Sequence, residues 1–496
     1  MKSVVTLSFL LLIGFYTHAQ LTEAQSKKAE MVMKTIDGSD MLDIVKVLCQ
    51  KEMGGRLTGS PGFAKAVDFV SKDFESWGLL PLGDNGTFFQ NFQHPYSQVY
   101  RGTKAILMIP GQPDKELNYP DEYAPGANSD NGKIKAEIVY AGYAISLPEY
   151  GYDELKDLDI NGKIVIVEDG HPYIGIDKKM KDAFEKASQR SLKIDNLVAR
   201  GAVGIVVPGI IINPNIKYAK GLLSCHLSES IIGDIFKKSG RDYSAIKKDI
   251  SRLLRPYTCS TGCFLTIKSK SAHFENGIGQ NVLGFIPGTD PVLSKETIVL
   301  CAHLDHVGYS EDFPIAGAND NASGSSLIMR IGKALAETPF RLRRSVLVLL
   351  LGGEETGLVG SGYYSEHPVT DISKTLFLNF DMVGMGDNFI ISGGDNFPGI
   401  YRFFKDADSK YFTRLITSGR RNADGRPRTD GAMFYRNHRI AFDCGLWGGK
   451  YEGYYHHPKD LPEYLRPNDM RDMAQLIYIS VVNMAMYNDN IIPDWN

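Results

Sequence analysis

Between Glu296 and Gly384, apolar runs of strand length alternate with segments of helical period. ETIVLCAH, RSVLVLLLGG and TLFLNFD read as strands, while SLIMRIGKALAE carries apolar residues at three- and four-residue intervals, as an amphipathic helix does. Each strand run ends in acidic residues or His. His303 and Asp305 follow the first, Glu354 and Glu355 the second, and Asp381 the third; Asp320 sits in GANDNASG, where a Gly-rich loop enters the helical segment. This alternation predicts an open α/β sheet, in which ligands bind beyond the carboxyl ends of the strands. The stretch therefore reads as a carboxylate-and-imidazole site on a rigid sheet.

Elsewhere the pattern changes twice. Helical periodicity dominates from Thr22 to Leu80, broken by GGRLTGSPG, and TFFQNFQ and TKAILMIPG then read as short strands. From about Tyr119 to Thr261 the chain spells a self-contained small α/β unit: strands AEIVYAGYAI, KIVIVEDG and AVGIVVPG, with a charged helix around Lys178–Ala199. Its Cys225 and His226 are adjacent, so in extended chain they point to opposite sides, and the unit reads as an inserted domain without chemistry of its own. CFLTIKSKSAH and QNVLGFIPG look like strands leading into the central stretch, and a long helix from about Asn468 to Tyr487 closes the chain. The expected organisation is a signal peptide at 1–19, a main domain formed by 20–118 and 262–496, and the insert at 119–261.

Composition adds limits. At 496 residues the chain suggests two or three domains, and a net charge of −3 gives no electrostatic case for nucleic acid or an anionic membrane. Lys2, the apolar run from Val4 to about Tyr16 and the small residue Ala19 come in signal-peptide order, which implies a secreted or periplasmic protein. No later segment is apolar enough to insert in a membrane. Of the six cysteines, Cys259 and Cys263 are close enough to pair, and Cys301 and Cys444 fall in strand-like runs as buried thiols. Oligomeric state is not legible.

The residue types point to a metal centre. Neutral imidazole with carboxylates suits zinc, with manganese or cobalt as substitutes. One catalytic zinc takes three protein ligands, and the acidic and His candidates here are too many for one. They suit two ions ~3.5–4 Å apart that share a bridging carboxylate and water. Asp305, two residues after His303, is placed to orient that ring. Singly, each residue has an ordinary reading: a surface His, a helix-capping Asp, a solvated Glu pair. Their coincidence on successive strand ends favours the site.

AHLDHVG, GANDNASG, GGEETGLVGS, NFDMVG and YHHPKD together resemble the motif series of the secreted di-zinc aminopeptidases, a family that includes the glutamate carboxypeptidase branch. GYAI, NGKIVIV and RGAVGIVV resemble a protease-associated domain. The resemblance implies a three-layer α/β/α sandwich with a mixed, mostly parallel central sheet, an inserted protease-associated domain, two zinc ions and peptide substrates. It makes His303 and Asp381 ligands of one ion, Glu355 and His456 ligands of the other, and Asp320 the bridge. Glu354 becomes the general base, Asp305 the support for His303, and Tyr455 a group that helps polarise the scissile carbonyl. His457 takes the variable place of the YHHPKD motif. Thr429-Asp430-Gly431 stands where relatives carry Ser-Asp-His, which bears on the substrate pocket; nearby Arg420, Arg421, Arg426 and Arg428 could meet a substrate carboxylate. Aminopeptidase is the leading expectation. The carboxypeptidase branch and a non-catalytic binding protein on the same fold are the alternatives.

Overall fold

The computed structural model describes residues 21–172, 177–308, 312–313, 315–419, 428–437, 439–448 and 454–492. The expected signal peptide and Arg420, Arg421 and Arg426 lie outside them.

The chain builds two eight-stranded sheets. Six strands of the first are β1 (Ile278–Ile286), β2 (Thr297–His303), β3 (Ser345–Leu351), β4 (Thr375–Phe380), β5 (Asn388–Ser392) and β6 (Ile440–Trp447). The order β3-β2-β4-β6 is parallel throughout. β1 joins β3 and β5 joins β6 in antiparallel fashion, and Leu80–Pro81 and Phe89–Gln93 pair along β1. The sheet is thus mixed with a parallel centre. Every residue of β2, β3 and β4 is buried, which explains why these runs are apolar without alternation.

Both faces are covered by helices. Ile298, Leu300 and Ala302 of β2 pack with the helices Gly38–Leu48, Pro61–Ser76, α1 (Gly324–Ala336) and α4 (Pro467–Met486); Val299 and Cys301 pack with Tyr364 of α2 (Val359–Glu366) and Phe434 of α3 (Asp430–Arg436). Each such aliphatic side chain contributes about 1.5–3 kcal/mol by leaving water. The three-layer expectation holds, as does the closing helix, whose Met470, Met473, Ala474, Ile477, Val481, Met484 and Ala485 are all buried.

The second sheet runs 115–116, 104–108, 259–269, 132–140, 164–166, 204–208, 223–227, 123–125 in space. It reaches beyond the expected 119–261 unit at both ends. Cys259–Ser269 does not lead into the first sheet; it pairs antiparallel with both Lys104–Met108 and Gly132–Tyr140. Its inward residues Cys263, Leu265 and Ile267 share a core with Ala105, Leu107 and Ile138, which is what draws all three strands together. The charged helical stretch is two helices, Lys178–Ala187 and Arg190–Ala199. All six cysteines are free thiols, Cys259 and Cys263 included.

Candidate metal centre and active site

Strand register gathers the site. Thr297 stands opposite Thr375 and Cys301 opposite Asn379, so two residues further His303 and Asp381 stand level at the sheet edge. His303 also faces Leu351, and the chain leaves β3 there through Gly352 and Gly353 into Glu354 and Glu355. Gly353 has φ +73°, a backbone that turns the pair back over the strand ends and that few other residues adopt. Asp320 lies in the turn Ala318–Ser323 ahead of α1, with extended rather than helical backbone (φ −109°, ψ 94°). His456 comes from the loop before α4 and holds φ +51°, a strained conformation for a non-glycine residue. Its carbonyl accepts the Ile212 N–H at 3.1 Å, a contact from the second sheet's unit onto this loop.

The side chains converge. His303 Nε2 is 3.3 Å from Asp320 Oδ1 and 3.5 Å from Asp381 Oδ1. His456 Nε2 is 3.2 Å from Asp320 Oδ2 and 2.7 Å from Glu355 Oε2. Asp320 therefore presents one oxygen to each of two groups. Among the described residues, two candidate ligand sets share Asp320, namely His303–Asp320–Asp381 and His306–Asp320–Glu355–His456, and a third group joins Glu354 to His303 and Glu355. Asp320 Oδ2, Asp381 Oδ1 and both His456 nitrogens are buried without an aligned hydrogen bond. Buried polar atoms crowded together yet unaligned are rare in folded proteins, and cations shared between them supply the missing partners. The donor set fits zinc.

The two neighbouring glutamates are driven apart electrostatically. Burial pushes the Glu354 carboxyl well above the ordinary range, and the charges of Glu355, Asp430 and Asp381 add to this against the opposing His303. Glu355 is buried too, but the nearby imidazoles His456 and His306 outweigh that and bring it down to about 2. One carboxyl is suited to carry a proton and the other to stay an ionised ligand.

Asp305 sits differently from expectation. The contact nearest to His303 Nδ1 is the Asp305 backbone carbonyl at 3.2 Å, with the carboxylate at 3.7 Å. That carboxylate instead accepts the backbone N–H groups of Glu354 and Glu355 at 3.3 and 3.4 Å, fixing the turn that carries both. Tyr455 is 43% exposed, and its ring stacks on His456 with centroids 3.8 Å apart. His457 lies outside the ligand sets and accepts the Lys459 N–H at 3.1 Å.

Asp430, of the Thr429-Asp430-Gly431 segment, and three residues not singled out by sequence reasoning complete the surroundings. Asp460 accepts the N–H groups of Asn319 and Asp320 at 2.9 and 3.0 Å. Arg56, wholly buried, donates to the carbonyls of Leu48, Leu304, Ala316 and Gly317 and so ties the chain between β2 and the Asp320 turn. Asp430 is buried, and burial pushes its carboxyl up to about 6. His306 contacts Glu355 directly. Arg56, His306 and Asp460 lie inside GGRLTGSPG, AHLDHVG and YHHPKD, so membership of those motifs was the available signal.

Residues 281–481 match peptidase family M28. Among curated sequences, segments of the chain are similar to aminopeptidase YwaD of Bacillus subtilis, 25% identical over 226 residues, 44% of this chain and 46% of that protein. They are similar also to leupeptin-inactivating enzyme 1 of Streptomyces exfoliatus, 30% identical over 158 residues, 32% of this chain and 33% of that protein. The matched segments thus span less than half of either relative. The fold of the chain extends over nearly all of two solved structures. A peptidase M28 precursor from Shewanella amazonensis gives a TM-score of 0.64 at 19% identity, covering 96% of this chain and 99% of that one. An aminopeptidase from Aneurinibacillus sp. strain AM-1 gives 0.63 at 18%, covering 94% and 98%. Among the described residues, no helix is long and apolar enough to cross a membrane.

Proposed function

We propose that the protein is a secreted zinc-dependent exopeptidase, and specifically an aminopeptidase that releases N-terminal residues from peptides. The observation that carries this reading is Asp320, whose two oxygens face His303 and His456 separately, 3.3 and 3.2 Å away. The family match over residues 281–481 and the names of the similar proteins favour it. In this reading His303 and Asp381 hold one zinc, Glu355 and His456 the other, and Asp320 joins them. Bound there, the ions would polarise the peptide carbonyl and make water acidic enough to attack near neutral pH.

The chain's own residues do the rest. Glu354, beside the ligands, takes a proton from the attacking water and passes it to the leaving amine, a task its raised pKa suits. Asp305 holds the Glu354 and Glu355 backbone in place through the turn. Tyr455, half-exposed at the mouth, donates to the carbonyl oxygen as charge develops on it. The second sheet's unit is a protease-associated domain inserted in the peptidase domain, and its Ile212 braces the His456 loop.

The test uses the full mature chain with aminoacyl-nitroanilides and N-blocked peptides, with chelator and with zinc restored. Zinc-restored cleavage of free-amine substrates alone fits an aminopeptidase. Cleavage of N-blocked peptides alone would move the protein to the carboxypeptidase branch. No zinc-dependent cleavage of either, with Glu354→Gln indistinguishable from wild type, would sink the peptidase reading for these substrates.

A further inference from the structure

His306 is wholly buried three residues beyond His303, and the ligand roles proposed above do not use it. Its Nδ1 lies 2.8 Å from Glu355 Oε1, while the other oxygen of the same carboxylate lies 2.7 Å from His456 Nε2. The ring's place is built in detail. The His306 N–H bonds the Arg56 carbonyl at 3.2 Å, and a Cβ on Gly317, which has φ +61°, would stand 2.4 Å from His306 Cγ and Cδ2. Only glycine at 317 leaves room for this imidazole at this depth.

Two roles are chemically open to a buried imidazole here. As a fourth protein ligand beside Asp320, Glu355 and His456, it would close the second site, as structural zinc sites are closed. As a donor, it would tie down Glu355 Oε1, leave Oε2 to the ion and keep a coordination position open for substrate. One nitrogen cannot do both, because a protonated Nδ1 has no lone pair to offer a metal. Its nearest neighbour is an oxygen of an ionised carboxylate, which only accepts. We propose that His306 is a positioning residue for the second metal site: its Nδ1–H orients Glu355 so that Oε2 alone ligates, leaving that site open. The proposal rests on the two-metal reading above.

The test strips the full-length protein with chelator and follows zinc or cobalt binding by calorimetry and metal analysis, alongside thermal melting. Three variants are compared. His306→Asn places an amide N–H near the position of Nδ1; His306→Gln places it near Nε2; His306→Ala removes both. The expected result is that wild type binds two ions. The Gln and Ala variants then bind one of them about 10- to 100-fold more weakly, with the other unaffected, and Asn stays within a few-fold of wild type. Equal losses in Asn, Gln and Ala would make His306 a ligand and overturn the proposal. So would wild-type affinity for both ions in Ala, or retention by Gln with loss in Asn. Should Ala fail to fold, the Asn and Gln pair decides alone. A wild-type protein that binds fewer than two ions would instead remove the two-metal reading, and this proposal with it.

Discussion

The two sheets have the same number of strands, but they treat buried charge in opposite ways. In the second sheet's unit, Glu154 is buried and fully engaged: it accepts the Tyr143 and Ile145 N–H groups at 3.0 and 3.1 Å and the Tyr152 hydroxyl at 2.6 Å. Glu168 accepts hydroxyls from Tyr140 and Tyr243, and Lys193 donates to the carbonyls of Glu168 and Gly170. At the end of the first sheet, Asp320 and His456 are as deep and Asp381 is partly buried, yet all three keep nitrogen or oxygen atoms without aligned partners. Satisfied buried charge is what a fold needs for itself. Unsatisfied buried charge, gathered from three separate segments at one end of the sheet, is free for a ligand and marks where chemistry belongs.

The strongest way to break this contrast is at Asp320. Asp320→Ala removes the only carboxylate shared by both ligand sets, so metal analysis should show binding of both ions impaired and peptide cleavage at background. A variant that keeps two ions and normal turnover would end the bridging assignment. Glu354→Gln comes next. It should lower kcat by about 10²- to 10⁴-fold, the usual worth of a general base, with both ions still bound and KM little changed.

In the second sheet's unit the same exchange should affect stability, not chemistry. Glu154→Gln keeps the shape but sets an amide NH₂ against a cluster of donors, leaving at least one buried donor unmet. The expected cost is about 1–3 kcal/mol in urea unfolding, with metal content and kcat per folded molecule unchanged. If Glu154→Gln lowered kcat at constant metal content, the division of labour between the sheets would fail.

Much of this was legible in the chain. The continuous apolar runs gave β2, β3 and β4, and the acidic and His residues at their ends are the ones that register brings level. His456 over His457 also emerged, since only His456 reaches the ligand sets. Three things were not legible. Alternating strands say which face is buried but not in which sheet, so the pairing of Cys259–Ser269 with Lys104–Met108 and Gly132–Tyr140 was not legible; shared core packing decides it. The Asp305 carboxylate lies two residues from His303, a spacing that suggests a ring contact, yet the two strand ends lie so close that the nearer donors are the Glu354 and Glu355 amides. His306 escaped because a lone imidazole in a loop has no period to betray its depth; its slot depends on Gly317, eleven residues away.

The smallest effect concerns acid and the second sheet. His226, in the strand Leu223–Leu227, is buried with Nδ1 3.2 Å from the Gly209 carbonyl, and burial lowers its pKa from 6.5 to about 4. The unfolded chain therefore takes up a proton near pH 6.5 while the folded protein does not until about pH 4. Stability from this residue is full above pH 6.5 and falls as pH drops toward 4, the direction expected when the unfolded state binds more protons. Between pH 7.5 and 5.5 the loss should be roughly 1 kcal/mol, given ~1.4 kcal/mol for each unit by which the two states differ. Other groups titrate in the same window; burial lowers His94 to about 4 as well, so the wild-type slope alone does not assign the effect. The measurement is the difference in urea midpoints between wild type and His226→Asn across that range. Asn keeps a donor for the Gly209 carbonyl but takes up no proton, so its curve should be flatter by that amount. Parallel curves would mean that His226 stays neutral or charged alike in both states, and that burial in this unit does not set its proton affinity.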